Sequence, residues 1–315
     1  MNNKAKGYLY GLLSSSSFGL IPLFTVPLLI GGMTTPTVLL YRFGLASILV
    51  AIVLKMRGQS FKIARKNIKW VMVLGIQYFC TAFLLQIGYK YMTTGAATVL
   101  HFMYPIFTAL LMFIFFKQRL GYLGQIAIIM AILGVGLMSG LNNASVNSFN
   151  GVLIVLLSAL GYAVYIVVVN KSSVGEVPPL VLNFYVLTVA ALCYVGYASA
   201  SGGFRLPYNA YEWTNAILLA AIPTVLSNLF LVKAIPIIGS TPTSIMGALE
   251  PLTAVVVGVI AFGEPLTKTS IIGIFLVINA VVLLVLSQKL AKRSSIHSSQ
   301  KSSKSQLSSS SGSSK

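Results

Sequence analysis

Apolar residues run in long blocks along this chain, and short polar or basic interruptions separate them. A helix needs about 20 predominantly apolar residues to cross a bilayer. Ten blocks meet that test: 7–30, 36–56, 69–89, 94–116, 121–140, 151–170, 178–198, 213–235, 241–262 and 268–288. The longest connections are 57–68, which is basic, and 199–212. Trp70 and Trp213 each stand at the start of a block, where interfacial aromatics belong. The pattern predicts an all-α polytopic membrane protein of ten transmembrane helices.

Polar residues inside the blocks are not scattered. In the fourth, Thr94, Thr98, His101, Tyr104 and Thr108 recur at spacings of three and four and share one helical face. In the ninth, Thr243, Gly247, Glu250, Ala254 and Gly258 do the same, with small residues around one carboxylate. Smaller groups sit at Ser14 and Ser17, Gln77 and Thr81, Ser158, Tyr162 and Tyr165, and Thr224, Ser227 and Asn228. Together they predict that helices 1, 3, 4, 6, 8 and 9 surround a polar path. Each group alone also fits a simpler role. Ser and Thr bond back to their own helix, and small residues let helices approach closely. For the glycines of the ninth block, packing is the preferred reading.

The fourth and ninth blocks are related. Pro105 falls on Pro251, Tyr104 on Glu250, His101 on Gly247 and Leu120 on Leu266, all at an offset of 146. Ser14 with Ser158 and Phe18 with Tyr162 match at 144. Pro36 with Pro179, Trp70 with Trp213 and Thr81 with Thr224 match at 143. The chain reads as two copies of a five-helix unit, 7–140 and 151–288. They are flanked by a short N-terminal segment, 1–6, and a basic, Ser-rich tail, 289–315, expected to be disordered. Five helices per copy is an odd number, so the second copy inserts inverted. Inverted repeats build transporters with the binding site near the midplane.

Charge fixes the orientation. With the N-terminus inside, 18 of the 22 Lys and Arg fall on inner segments and Lys90, Arg205 and Lys268 on outer ones. The positive-inside bias places both termini in the cytoplasm, in a bacterial inner (plasma) membrane. Lys4 and Lys6 before the first block resemble a signal peptide. The block is long and lacks a small-x-small cleavage pattern, so it is read as a retained helix.

Only 8% of residues are charged and 57% are hydrophobic, a composition from which no soluble surface can be built. The net charge of +18 therefore reads as topology signals and contacts with anionic membrane lipids, not as a nucleic-acid surface. Cys80 and Cys193 lie inside blocks without metal-ligand spacing. No metal or cofactor is expected. Gly7-xxx-Gly11 and Gly136-xxx-Gly140 match a helix-dimer motif, which fits a homodimer or packing within one chain.

There are four acids, Glu176, Glu212, Glu250 and Glu264, and no Asp. Glu250 lies mid-block, and ionisable groups at that depth are functional by default. His101 and Glu250 are thus the candidate binding or coupling groups. Arg42 lies about 9 Å from the end of its block at 1.5 Å per residue. It either snorkels to the outer headgroups or meets a substrate carboxylate or Glu250. No P-loop occurs, so energy comes from a gradient, and these titratable groups suit proton coupling better than sodium. The candidate substrate-binding or coupling set is Glu250, His101, Tyr104, Arg42, Thr98, Gln77, Thr81, Ser14, Ser158, Tyr162, Tyr165, Ser227 and Asn228.

Leu249-Glu250-Pro251, Phe262-Gly263-Glu264-Pro265-Leu266, Tyr41-Arg42-Phe43 and the five-plus-five layout over 7–288 resemble the EamA family of the drug/metabolite transporter superfamily. The first copy departs from that pattern, with Tyr104-Pro105 and Lys117-Gln118-Arg119 where the second has acids. The resemblance implies a secondary carrier for small metabolites such as amino acids, commonly an exporter. A flippase for a lipid or lipid-linked sugar would share the fold. An intramembrane enzyme would need paired acids, a metal cluster or an activated nucleophile.

Overall fold

The structure is a computed structural model, and it describes residues 3–117, 121–138, 149–200, 203–238, 243 and 246–287. The Ser-rich tail, the start of the ninth block, Arg119 and Gly140 lie outside those residues. Among the described residues every regular element is a helix. Eight helices are long and apolar enough to cross a membrane: Asn3–Ile30, Thr35–Met56, Arg65–Gly88, Thr94–Phe116, Phe149–Lys171, Pro179–Ala200, Ala210–Ile238 and Lys268–Ser287. Two shorter apolar helices, Tyr122–Val135 and Leu249–Phe262, fall where the fifth and ninth blocks lie.

Several of these helices are interrupted, and the interruptions follow from proline. A proline supplies no N–H, and its ring displaces the carbonyl four residues earlier. The first helix breaks at Leu20, just before Pro22, into α1 (Asn3–Gly19) and α2 (Ile21–Ile30). After α3 (Thr35–Met56) and α4 (Arg65–Gly88), the fourth breaks at Phe102 and Met103 into α5 (Thr94–His101) and α6 (Tyr104–Phe116), with Pro105 entering α6. α7 is Tyr122–Met138, α8 Phe149–Lys171 and α9 Pro179–Ala200. α10 (Ala210–Ala220) passes through a π-turn, Ala221–Leu226, around Pro223 into α11 (Ser227–Ile238). Inside that turn Thr224 Oγ1 donates to the Leu219 carbonyl, 3.0 Å, five residues back. α12 (Leu249–Phe262) begins after a turn at Gly247 and Ala248, with Pro251 as its third residue. α13 is Lys268–Ser287.

The turns before α6 and α12 stand 145 residues apart, and the ends of these helices 146. α6 ends on Lys117 at φ 53°, ψ 27°, and α12 on Gly263 at φ 63°, ψ 27°. Both are left-handed caps. Gly takes that conformation without cost, whereas Lys117 is the one non-glycine with positive φ among the described residues.

α3 packs on α9, α1 on α11, α4 on α8 and α9, and α5 on α12. Gly95 makes the last crossing possible, since a Cβ there would lie 2.8 Å from the Val255 backbone. Gly7 and Gly11 of the dimer motif face Ile237, Ile238 and Met246 of the same chain, so their close approach is spent within one molecule. One apolar core lies among α5, α6, α7, α8, α12 and α13, another among α3, α4 and α9, and a third joins α2 and α3 to α10.

Candidate functional site

The interrupted helices meet around a cavity of about 460 Å³. This lies within the roughly 300–1,000 Å³ usual for small-molecule sites. Of the thirteen candidate residues, Ser14, Arg42, Thr81, His101, Tyr104, Tyr162, Asn228 and Glu250 line it. Thr108, Thr243 and Gly247 of the two polar faces line it too.

Arg42 points inward. It is 4% exposed, its Nε donates to Thr224 Oγ1 at 3.1 Å, and its guanidinium lies 5.2 Å from the Phe43 ring centroid. The π-turn places that hydroxyl: Thr224 gives its own proton to Leu219 and turns its lone pairs to Arg42. The two terminal guanidinium nitrogens have no hydrogen bond among the described residues. The Glu250 carboxylate, in the first turn of α12, likewise accepts none there. The two charges do not pair, since the ion pairs among the described residues are Lys66–Glu176 and Arg205–Glu212. The cavity thus holds a donor fork and a carboxylate, both open to a guest.

Aromatic rings form one wall. Tyr162 sits 4.8 Å from Tyr104, edge to face, and stacks on Tyr165 at 5.7 Å. His101 lies 5.7 Å from Tyr162 and 6.1 Å from Tyr104. Tyr78 joins this wall, 5.7 Å from Tyr165, and lines the cavity with Phe18. Tyr78 was absent from the candidate set. Its signal was its place three residues before Thr81 on the same face.

Five candidates stand behind the wall and position it. Ser158 Oγ donates to the Thr81 carbonyl, 2.7 Å, and lies 3.2 Å from His101 Nδ1. Gln77 Nε2 donates to the Gly161 carbonyl at 3.0 Å, tying α4 to α8. Ser227 bonds back to Pro223, and its carbonyl accepts from Ser14 Oγ at 2.8 Å, tying α1 to α11. Thr98 bonds back to Thr94, and Tyr165 acts through its stack on Tyr162.

The cavity reaches from mid-bundle toward one end. Thr108, Ile166, Ile235, Thr243 and Val285 extend its lining toward the end that carries Lys117, Lys171 and Lys233. At the other end two carboxylates tie separate segments of the chain together. Glu264 caps the N-terminus of α5: it accepts from Thr94 N–H at 2.7 Å, Thr94 Oγ1 at 2.8 Å and Gly95 N–H at 3.3 Å. A carboxylate there neutralises orphan N–H groups and the positive end of the helix dipole. Glu212 forms a bidentate pair with Arg205, both bonds 2.9 Å, and Arg205 also donates to the Gly31 carbonyl at 2.6 Å. Local sequence marks Glu264 only as an acid between two apolar blocks. The structure gives it a partner because Gly263 turns the chain back over α5.

A bundle of apolar helices with polar groups gathered in one interior cavity defines an integral membrane protein built to hold a small guest. The EamA-like transporter family profile matches residues 5–140 and again 149–286, and the chain belongs to that family. It is similar to the uncharacterized transporter YdfC of Bacillus subtilis, 24% identical over 77% of this chain and 79% of that protein. An uncharacterized transporter of Synechocystis is 28% identical over 81% of this chain and 82% of its own length. A solved crystal structure superposes with a TM-score of 0.65 at 18% identity, covering 91% of this chain and 99% of that one. That likeness concerns the fold alone.

Proposed function

We propose that this chain is a secondary exporter of small zwitterionic metabolites, amino acids or close relatives, working by alternating access. The observation that carries the reading is the pair of unpaired opposite charges, Arg42 and Glu250, facing one cavity. A substrate carboxylate suits the planar guanidinium fork, and an ammonium suits Glu250. The tyrosine wall suits an apolar or aromatic remainder. In this reading the ten helices form two inverted five-helix repeats with both termini in the cytoplasm of a bacterial inner membrane. The cavity then opens inward, toward the basic end, which is the loading side for an exporter. Glu250, between its burial and the nearby Arg42, supplies the group that binds and releases a proton as the two openings alternate.

The test is flux in proteoliposomes loaded with a panel of labelled amino acids, with and without an imposed pH gradient. The parent should exchange at least one of them and concentrate it in response to the gradient. Glu250→Gln should insert normally and still exchange, but lose gradient-driven accumulation. If Glu250→Gln accumulates substrate as well as the parent does, the coupling role fails. If no zwitterion is exchanged, the substrate class fails.

A further inference from the structure

Ser158 stands between two partners and has one proton to give. Its Oγ lies 2.7 Å from the Thr81 carbonyl oxygen and 3.2 Å from His101 Nδ1. A carbonyl only accepts, so the hydroxyl proton goes to Thr81. The Ser158 oxygen then has lone pairs alone to offer His101, and Nδ1 must carry the proton. A neutral imidazole has one such proton, so Nε2 is a bare acceptor. Ser158 is fully buried, so no solvent competes for its oxygen. The His101 ring lines the cavity, and Nε2 makes no hydrogen bond among the described residues.

We propose that Ser158 is a positioning residue that locks His101 in the Nδ1–H form and presents Nε2 to the cavity as a hydrogen-bond acceptor. What this means for the cargo rests on the transporter reading above. Glu250 and His101 then line the cavity as acceptors and Arg42 as a donor. The substrate must bring an N–H or O–H donor to Nε2. A quaternary nitrogen, which has the charge but no N–H, leaves Nε2 buried without a partner, and such a group is costly to desolvate.

The tautomer can be read without any substrate. The chain has two histidines, His101 and His297, so His297→Gln leaves His101 as the single reporter. The probe is the full-length protein in nanodiscs, labelled with ¹⁵N-histidine and recorded by NMR at alkaline pH, where the ring is neutral. The expected parent spectrum has a protonated Nδ1 and a bare Nε2. Ser158→Ala, which removes the acceptor and adds no bulk, should shift the population toward the Nε2–H form. A parent ring protonated at Nε2 overturns the proposal, even where the alanine variant fails to fold. So does a folded Ser158→Ala variant whose tautomer matches the parent. This readout contains no flux, so it stands or falls separately from the proteoliposome assay.

Discussion

Glu264→Gln tests whether the α5 cap holds one end of the cavity shut. The carboxylate accepts three hydrogen bonds at 2.7, 2.8 and 3.3 Å, two of them from backbone N–H groups at the start of a helix. Glutamine keeps one oxygen and turns an NH₂ group toward donors it cannot serve. Hydrogen bonds to a charged group are worth about 1.5–3 kcal/mol, and a negative charge at a helix N-terminus adds about 0.3–1 kcal/mol. Losing about 2 kcal/mol from the closed arrangement alone raises the open population roughly 30-fold, at about 1.4 kcal/mol per tenfold. The assay starts from a chain with Cys80 and Cys193 replaced and one cysteine introduced at Leu85, which lines the cavity on the capped side. An impermeant thiol reagent is applied from outside intact cells. Labelling should be about 30-fold faster in the Glu264→Gln variant than in the parent. If the rate stays within about twofold of the parent at equal membrane abundance, the cap does not gate the cavity.

Three further outcomes are expected. Arg42→Lys should impair transport at normal abundance, because a point charge cannot both hold Thr224 and present a planar fork; full transport would remove Arg42 from the site. Lys117→Gly should stabilise the protein by about 0.5–1 kcal/mol, read as a higher midpoint of thermal unfolding in detergent, since the left-handed geometry at φ 53° costs a side chain about 1–2 kcal/mol and the entropy of glycine offsets about 0.5–1 kcal/mol of that; a lower midpoint would assign the lysine another role. Single cysteines in 31–35, 141–150 and 199–212 should label from outside while those in 57–68 and the tail should not, and the reverse pattern would overturn the charge argument.

The helices and the polar faces were legible because both rest on local periodicity. Long apolar blocks announce spans, and Thr94 to Thr108 at three- and four-residue spacing announce a shared face. The turns that precede α6 and α12 were legible in Pro105 and Pro251. What pairs with what was not. Glu264 and Thr94 are 170 residues apart, and nothing local marks a carboxylate of one half as the cap of a helix in the other. The division between residues facing the cavity and residues behind them was also hidden. Ser158 and Tyr162 sit four apart on one face, yet Tyr162 reaches the cavity and Ser158 is buried behind His101. Side-chain length and helix rotation decide that, and periodicity specifies neither. Arg42 was open between headgroups and interior until the π-turn supplied Thr224 as its partner.

That π-turn has a consequence for which changes in chain length the protein tolerates. A π-turn is one residue more than the α-helix it interrupts. Each residue of an α-helix turns the chain by about 100°. Deleting a single residue from 221–226 would remove that excess, so the helix would run on regularly and α11 would keep its face toward the cavity. What the deletion would take is the geometry by which Thr224 bonds to Leu219 five residues back and turns its lone pairs to Arg42. The same loss within a regular stretch of α10 or α11 has no extra residue to absorb it and would rotate the residues beyond it by about 100°. The eighth span should therefore tolerate a frame-preserving loss of one codon at its π-turn better than elsewhere along it, with Arg42 left without its anchor as the cost.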